Sequence, residues 1–135
     1  MTPIEILAAL EKGELLAPSM FEGVDCEANV EALDDPEYEA EWVRLKDAVD
    51  EAWEAAAPPP VVRQLADKIQ KYVFAVATRS SRNHLMAAYI AHDFDLIVRA
   101  RVAGLADPFL ERLWATYQAH ELPSPLLAKN LPRPS

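Results

Sequence analysis

The residues best suited to binding an anion lie together between positions 79 and 84. This stretch reads Arg-Ser-Ser-Arg-Asn-His and falls between two predicted helices. Two guanidinium groups beside hydroxyls and the free amides of a helix start can bind a phosphate or a carboxylate. The same residue types also suit an ordinary capped turn. A small enzyme or anionic-ligand binder is therefore the alternative hypothesis, with a site made of Arg79, Ser80, Ser81, Arg82 and His84.

One pair of residues, His92-Asp93, has the order found at some metal centres. It resembles the pair in the HD-type metal-dependent phosphohydrolases. Such a centre needs a second histidine close in space, and the nearest in the sequence is His84. A continuous helix would separate the two histidines by about 12 Å, which is too far for one metal ion. We therefore interpret His92-Asp93 as a helix boundary with Asp93 as an N-cap, and predict no metal site.

The only cysteine, Cys26, has no neighbouring base or orienting group that would make it a nucleophile. We predict no catalytic residue, no cofactor and no internal disulfide. The chain starts without a basic segment, and its longest uncharged run is the ten residues from Asn83 to His92. A membrane span needs about 20 apolar residues. These features predict a cytoplasmic, non-enzymatic protein with no membrane partner.

The charge is strongly asymmetric along the chain. The formal net charge is −9. Residues 1–57 hold 16 acidic residues against 3 basic ones, a net charge of −13, whereas residues 58–135 hold 6 against 10, a net charge of +4. Nucleic-acid binding requires clustered Lys and Arg, so no nucleic-acid partner is expected. A basic protein is the partner that an acidic half would attract.

Helices must position these groups, and the clearest one begins at Asp35-Pro36. Apolar residues follow it with the spacing of a helical stripe, at Tyr38, Trp42, Leu45, Val49, Ala52 and Ala56. The prolines at 58–60 must end it, because proline has no amide donor and clashes with the preceding turn. We predict helices over 36–57 and about 61–78.

Capping signals delimit the shorter helices. Thr2-Pro3-Ile4-Glu5 has the pattern of a capping box, and a short helix should follow Asp25. Either Ser80 or Ser81 is expected to cap the helix that carries Leu85, Met86, Tyr89 and Ile90. Gly104 suits a left-handed C-cap, and Asp107-Pro108 suits the start of the last helix. The short link between the last two helices predicts an αα-hairpin.

The predicted fold class is all-α, a compact single-domain bundle of five or six helices with a C-terminal αα-hairpin. The helical domain should span 1–122, and residues 123–135, with four prolines, should form an extended Pro-rich tail. The two long helices should pack against the C-terminal hairpin. We expect Trp42 and Trp114 to be largely buried, because both lie on apolar stripes.

The outward face of the first long helix carries charges that oppose the stability of the helix in two ways. At 100° per residue, the side opposite the apolar stripe carries Val43, Asp47, Asp50, Glu51 and Glu54. Four like-charge pairs at three- or four-residue spacing destabilise a helix, and acids near its C-terminus oppose its dipole. Arg44 and Lys46 should offset part of this, by pairing with Asp47 and Asp50.

Unfavourable local interactions that nothing nearby offsets are often a sign of function, although negative charge can also serve solubility alone. We therefore predict a non-catalytic, acidic protein-binding domain. An immunity or antitoxin-like inhibitor that docks a basic partner surface through these five residues fits the pattern. A homo-oligomer would have a similar sequence.

Overall fold

The computed structural model describes residues 1–132, and every regular element in that range is helical. This confirms the all-α class and the expected number of helices. Two short 3-10 helices accompany them, at Pro18–Phe21 and Pro125–Ala128. The six α-helices, in chain order, are α1 Pro3–Glu11, α2 Cys26–Ala32, α3 Pro36–Ala56, α4 Pro60–Ser81, α5 His84–Ala103 and α6 Pro108–Gln118.

Side-chain caps start the helices where the sequence predicted. Thr2 and Glu5 form the reciprocal capping box of α1. The carboxylates of Asp25, Asp35 and Asp107 accept backbone N–H groups at the starts of α2, α3 and α6. Gly104 ends α5 in the left-handed region at φ 71°. The serine prediction for α5 is wrong, since its N-cap is Asn83, which accepts the N–H of Met86 at 2.9 Å.

Helix α5 lies at the centre of the core. It packs against both long helices, α3 and α4, and also contacts α1, α2 and α6. Ten of its residues are buried, so it is apolar around most of its circumference. The predicted contact with α6 is made through Phe94, whose ring lies 6.1 Å from that of Trp114 and 4.9 Å from that of Tyr117. The more extensive helix pair, however, is α4 with α5.

The structure corrects the predicted break at His92-Asp93. Helix α5 runs without interruption from His84 to Ala103, so Asp93 lies in mid-helix and caps nothing. Asp93 is tolerated there because other helices supply hydrogen-bond donors to its buried carboxylate. The two tryptophans also differ: Trp114 is 4% exposed, as predicted, whereas Trp42 is only half-buried.

Residues 123–132 are docked on the bundle and are not the extended tail that the prolines suggested. Ala128 is buried. The guanidinium of Arg112 donates to the carbonyls of Leu127 at 3.2 Å and Asn130 at 3.1 Å. Lys129 forms an ion pair with Glu37 of α3. The remainder of the predicted tail, 133–135, lies outside the described residues.

Hydropathy adds one finding about membranes. Over residues 1–132, none of the helices is both long enough and apolar enough to cross a bilayer.

Candidate protein-binding site

Helix α3 presents four of the five predicted partner-binding residues on its solvent-exposed side. Val43 is 45% exposed, and Asp47, Glu51 and Glu54 are exposed as well. We call these four residues the acidic ridge. None of the three acids has an ion-pair partner within residues 1–132. The ridge is therefore a strip of uncompensated negative charge along α3, with one exposed valine at its N-terminal end.

Asp50, the fifth predicted residue, has a different environment. Its two carboxylate oxygens each accept a hydrogen bond at 2.8 Å, one from Lys46 and one from Arg99 of α5. These bonds lower the pKa of Asp50. Arg99 also donates to Asp95 at 3.0 Å and lies 5.9 Å from the ring centroid of Trp53. Asp50 thus connects α3 to α5 and is not a free member of the ridge.

Arg44 also differs from its prediction. Its guanidinium donates to Glu41 at 2.9 Å and to both oxygens of Asp107, at 2.9 and 3.1 Å, so the expected pair with Asp47 is not formed. The hydrogen bond from Arg44 helps to lower the pKa of Asp107, against the effect of burial. Arg44 and Lys46, the two cations of α3, therefore pair with acids outside the ridge. The negative charge of the ridge is left unbalanced.

A buried carboxylate lies where α3 packs against α5. Asp93 is 4% exposed; it accepts the indole N–H of Trp42 at 2.8 Å and the phenol O–H of Tyr117 at 2.6 Å. Burial raises the pKa of Asp93 to about 6, and the two hydrogen bonds oppose that rise. Burial also raises the pKa of Tyr117 and that of nearby Tyr38. Within residues 1–132 no cation pairs with Asp93.

Asp93 lines the floor of a cavity of about 240 Å³ between α3 and α5. Trp42 and His92 stand perpendicular in its wall, with ring centroids 6.5 Å apart. Tyr89 is 39% exposed beside them. We call this cavity the aromatic cleft; its lining residues are Leu33, Asp34, Tyr38, Glu39, Trp42, Tyr89, His92 and Asp93.

The aromatic cleft was missed from the sequence because Asp93 was interpreted as a helix boundary. On a continuous helix, Asp93 lies three residues after Ile90 and four before Ile97, both of which are buried. That spacing places it on the apolar face. A charged residue within an unbroken apolar stripe was therefore the sequence feature that could have revealed the cleft. The same residue explains the orientation of Trp42, because its indole N–H donates to Asp93.

The alternative anion site is divided between two helices. Arg79, Ser80 and Ser81 form the last turn of α4, Arg82 is its left-handed C-cap, and His84 begins α5. The Ser80 hydroxyl donates to the carbonyl of Leu16 at 2.9 Å, and the Ser81 hydroxyl bonds the backbone of Asn83. The hydroxyls that would bind an anion are thus used within the fold.

The fold and these surfaces define a small all-helical protein whose exposed features suit contact with another macromolecule. Comparison with known families is more specific. The model of the family described as Immunity protein PIM1 matches residues 5–124, and the chain therefore belongs to this family. Membership supports an immunity-type, protein-binding role rather than an enzymatic one. Neither the curated proteins nor the solved structures include a match to the chain.

Proposed function

We propose that this protein is a non-catalytic inhibitor that confers immunity by binding a basic protein toxin, and that the acidic ridge docks on the basic surface of that toxin. The observation that carries the proposal is the set of three exposed carboxylates without ion-pair partners in residues 1–132, which follow the exposed Val43 along α3. Family membership supports the immunity role.

Repulsion within the ridge lowers the stability of the isolated protein. Helix α3 carries seven acidic residues and two basic ones. Asp47–Glu51 and Glu51–Glu54 are like-charge neighbours, each unfavourable by about 0.2–0.5 kcal/mol. Glu51 and Glu54 also lie near the C-terminus of α3, where the helix dipole favours cations. A basic partner would remove this repulsion, and complementary charge would accelerate its association.

The enzyme hypothesis has weaker support. The two serines of the Arg79–His84 segment have hydrogen bonds inside the fold, and Asn83 already caps the first amides of α5. An anion would therefore meet only the exposed Arg79, Arg82 and His84 at this place. Such a surface offers charge but few of the convergent donors that a ligand site uses.

The test begins with affinity capture from the native cell and mass spectrometry, which identify a binding protein for purification. Affinity is then measured for the wild type and for the double variant Asp47→Lys/Glu54→Lys. We expect the variant to bind at least about tenfold more weakly, with a reduced dependence on salt, since steering between charges is screened by ions. Addition of the wild type in equal amount should block the activity of the partner.

The matched control is Glu14→Lys/Glu22→Lys, which changes the net charge equally at exposed positions outside α3. It separates local docking from overall charge. Unchanged binding by the ridge variant, or an equal loss in both variants, would contradict the proposed docking face. A captured protein whose activity is not blocked, or capture of only a second copy of this chain, would contradict the inhibitory function.

A further inference from the structure

The aromatic cleft combines three features that do not belong to the acidic ridge. Its wall contains the rings of Tyr38, Trp42, Tyr89 and His92. Its rim carries the exposed carboxylates of Asp34 and Glu39, neither of which has an ion pair within residues 1–132. Its floor is Asp93, a buried carboxylate with two hydrogen-bond donors but no ion pair in that part of the chain.

Size and chemistry restrict what this cleft can accept. Its volume of about 240 Å³ is below the range of roughly 300–1,000 Å³ that is typical of small-molecule sites. It suits one long side chain better than a whole cofactor. Carboxylates at rim and floor favour a cation, and aromatic faces bind cations through their ring electrons.

Among basic side chains, arginine fits these walls best. Its guanidinium is planar and weakly hydrated, so it stacks on rings, and its fork of N–H donors matches a carboxylate. Carboxylate oxygens have lone pairs beyond those that Trp42 and Tyr117 occupy on Asp93. We propose that the aromatic cleft receives an arginine side chain of the basic protein partner. This inference rests on the proposed function and specifies where its partner is anchored.

The cleft and the ridge are continuous along α3. Glu39, on the rim of the cleft, lies one helical turn before Val43, the first residue of the ridge. From Glu39 to Glu54 the helix rises about 22 Å. That length suits one face of a standard interface, in which an anchor residue in a desolvated pocket contributes most of the binding energy and a polar rim surrounds it.

The test uses the full-length protein and N-acetyl-arginine methylamide as the probe. The indole N–H of Trp42 donates to Asp93 at the cleft, so its NMR resonance reports on occupancy. We expect a saturable shift of this resonance with affinity in the millimolar range. The citrulline analogue, which is neutral and nearly the same shape, should produce no saturable shift, and the lysine analogue should bind more weakly.

Paired variants locate the site. Asp34→Asn/Glu39→Gln should weaken the arginine probe roughly tenfold, as expected for two partly exposed ion pairs. Asp47→Asn/Glu54→Gln, with the same change of charge on the ridge, should leave its affinity unchanged. The proposal is overturned if the Trp42 resonance does not saturate, if citrulline or lysine binds as well as arginine, or if the two variants behave alike.

These outcomes are independent of the docking experiment. Arginine binding in the cleft, with partner affinity unaffected by Asp47→Lys/Glu54→Lys, would reject the ridge and keep the cleft. Loss of partner binding in that ridge variant, without any arginine effect at Trp42, would keep the ridge and reject the cleft.

Discussion

The two sides of helix α3 use carboxylates in opposite ways. Where α3 meets α5, Asp50 of α3 and Asp93 and Asp95 of α5 all accept hydrogen bonds from side chains of the same or a neighbouring helix. On the solvent side, Asp47, Glu51 and Glu54 have no ion-pair partners within residues 1–132. Asp50 and Asp93 join helices together, whereas the ridge acids repel one another along one helix.

This difference separates acids whose removal should destabilise the fold from acids whose removal should not. A carboxylate that accepts hydrogen bonds from Trp, Tyr or Arg within the fold holds those donors in place, and its removal leaves buried donors unsatisfied. An exposed carboxylate without a partner contributes nothing favourable to folding that a neutral residue would not. The comparison therefore predicts stability losses on the α5 side and binding losses on the ridge.

The largest expected effect is at Asp93. Because its folded-state pKa, about 6, lies above the ordinary 3.8, the native protein retains a proton that the unfolded chain releases between about pH 4 and pH 6. The free energy of unfolding should therefore fall as the pH rises through this window, by about 2–3 kcal/mol from this group, and then level off. In Asp93→Asn that fall should disappear.

Urea unfolding at several pH values measures this effect. Glu31→Gln is a suitable control, since Glu31 is exposed on α2. The half-buried Asp95, whose pKa is also raised by partial burial, contributes a fall of the same sign in both variants. If Asp93→Asn and the wild type share one pH profile, the buried carboxylate does not control stability in this range.

A smaller effect distinguishes Asp50 from Glu54, two acids one helical turn apart. Asp50→Asn should lower the free energy of unfolding by about 0.5–1 kcal/mol, because it weakens partly exposed bonds to Lys46 and Arg99. Glu54→Gln removes the same charge and should cost nothing. Chemical denaturation at low and high salt checks this, and the two variants should converge as salt screens the ion pairs. Equal costs would show that Asp50 is no more structural than the ridge.

The smallest effect on stability is expected for Asp47→Lys/Glu54→Lys. These changes convert the Asp47–Glu51 and Glu51–Glu54 repulsions into opposite-charge pairs and place a cation near the C-terminus of α3. The melting temperature should stay constant or rise by a few degrees, equivalent to at most about 1 kcal/mol. A marked decrease would mean that the ridge acids stabilise the fold, which would remove the contrast between the two sides.

Local chemistry in the sequence determined much of this structure. Prolines, glycines and N-capping side chains predicted the starts of α1, α2, α3 and α6 and the ends of α3 and α5. They could do so because these signals act within one turn of the chain. Helical periodicity likewise identified which side of α3 is buried and which is exposed. It failed at Asp93, where a polar pair was interpreted as a boundary.

Tertiary structure alone decided which charges are paired. Arg44 has possible partners three residues away on either side, and the sequence favoured Asp47; the approach of α6 selected Glu41 and Asp107 instead. Asp93 stays inside α5 because Trp42 and Tyr117, 51 and 24 residues away, supply its donors. The docking of residues 123–132 likewise depends on Arg112 reaching their carbonyls. Contacts over such sequence separations depend on the relative placement of helices, which no periodicity within one helix encodes.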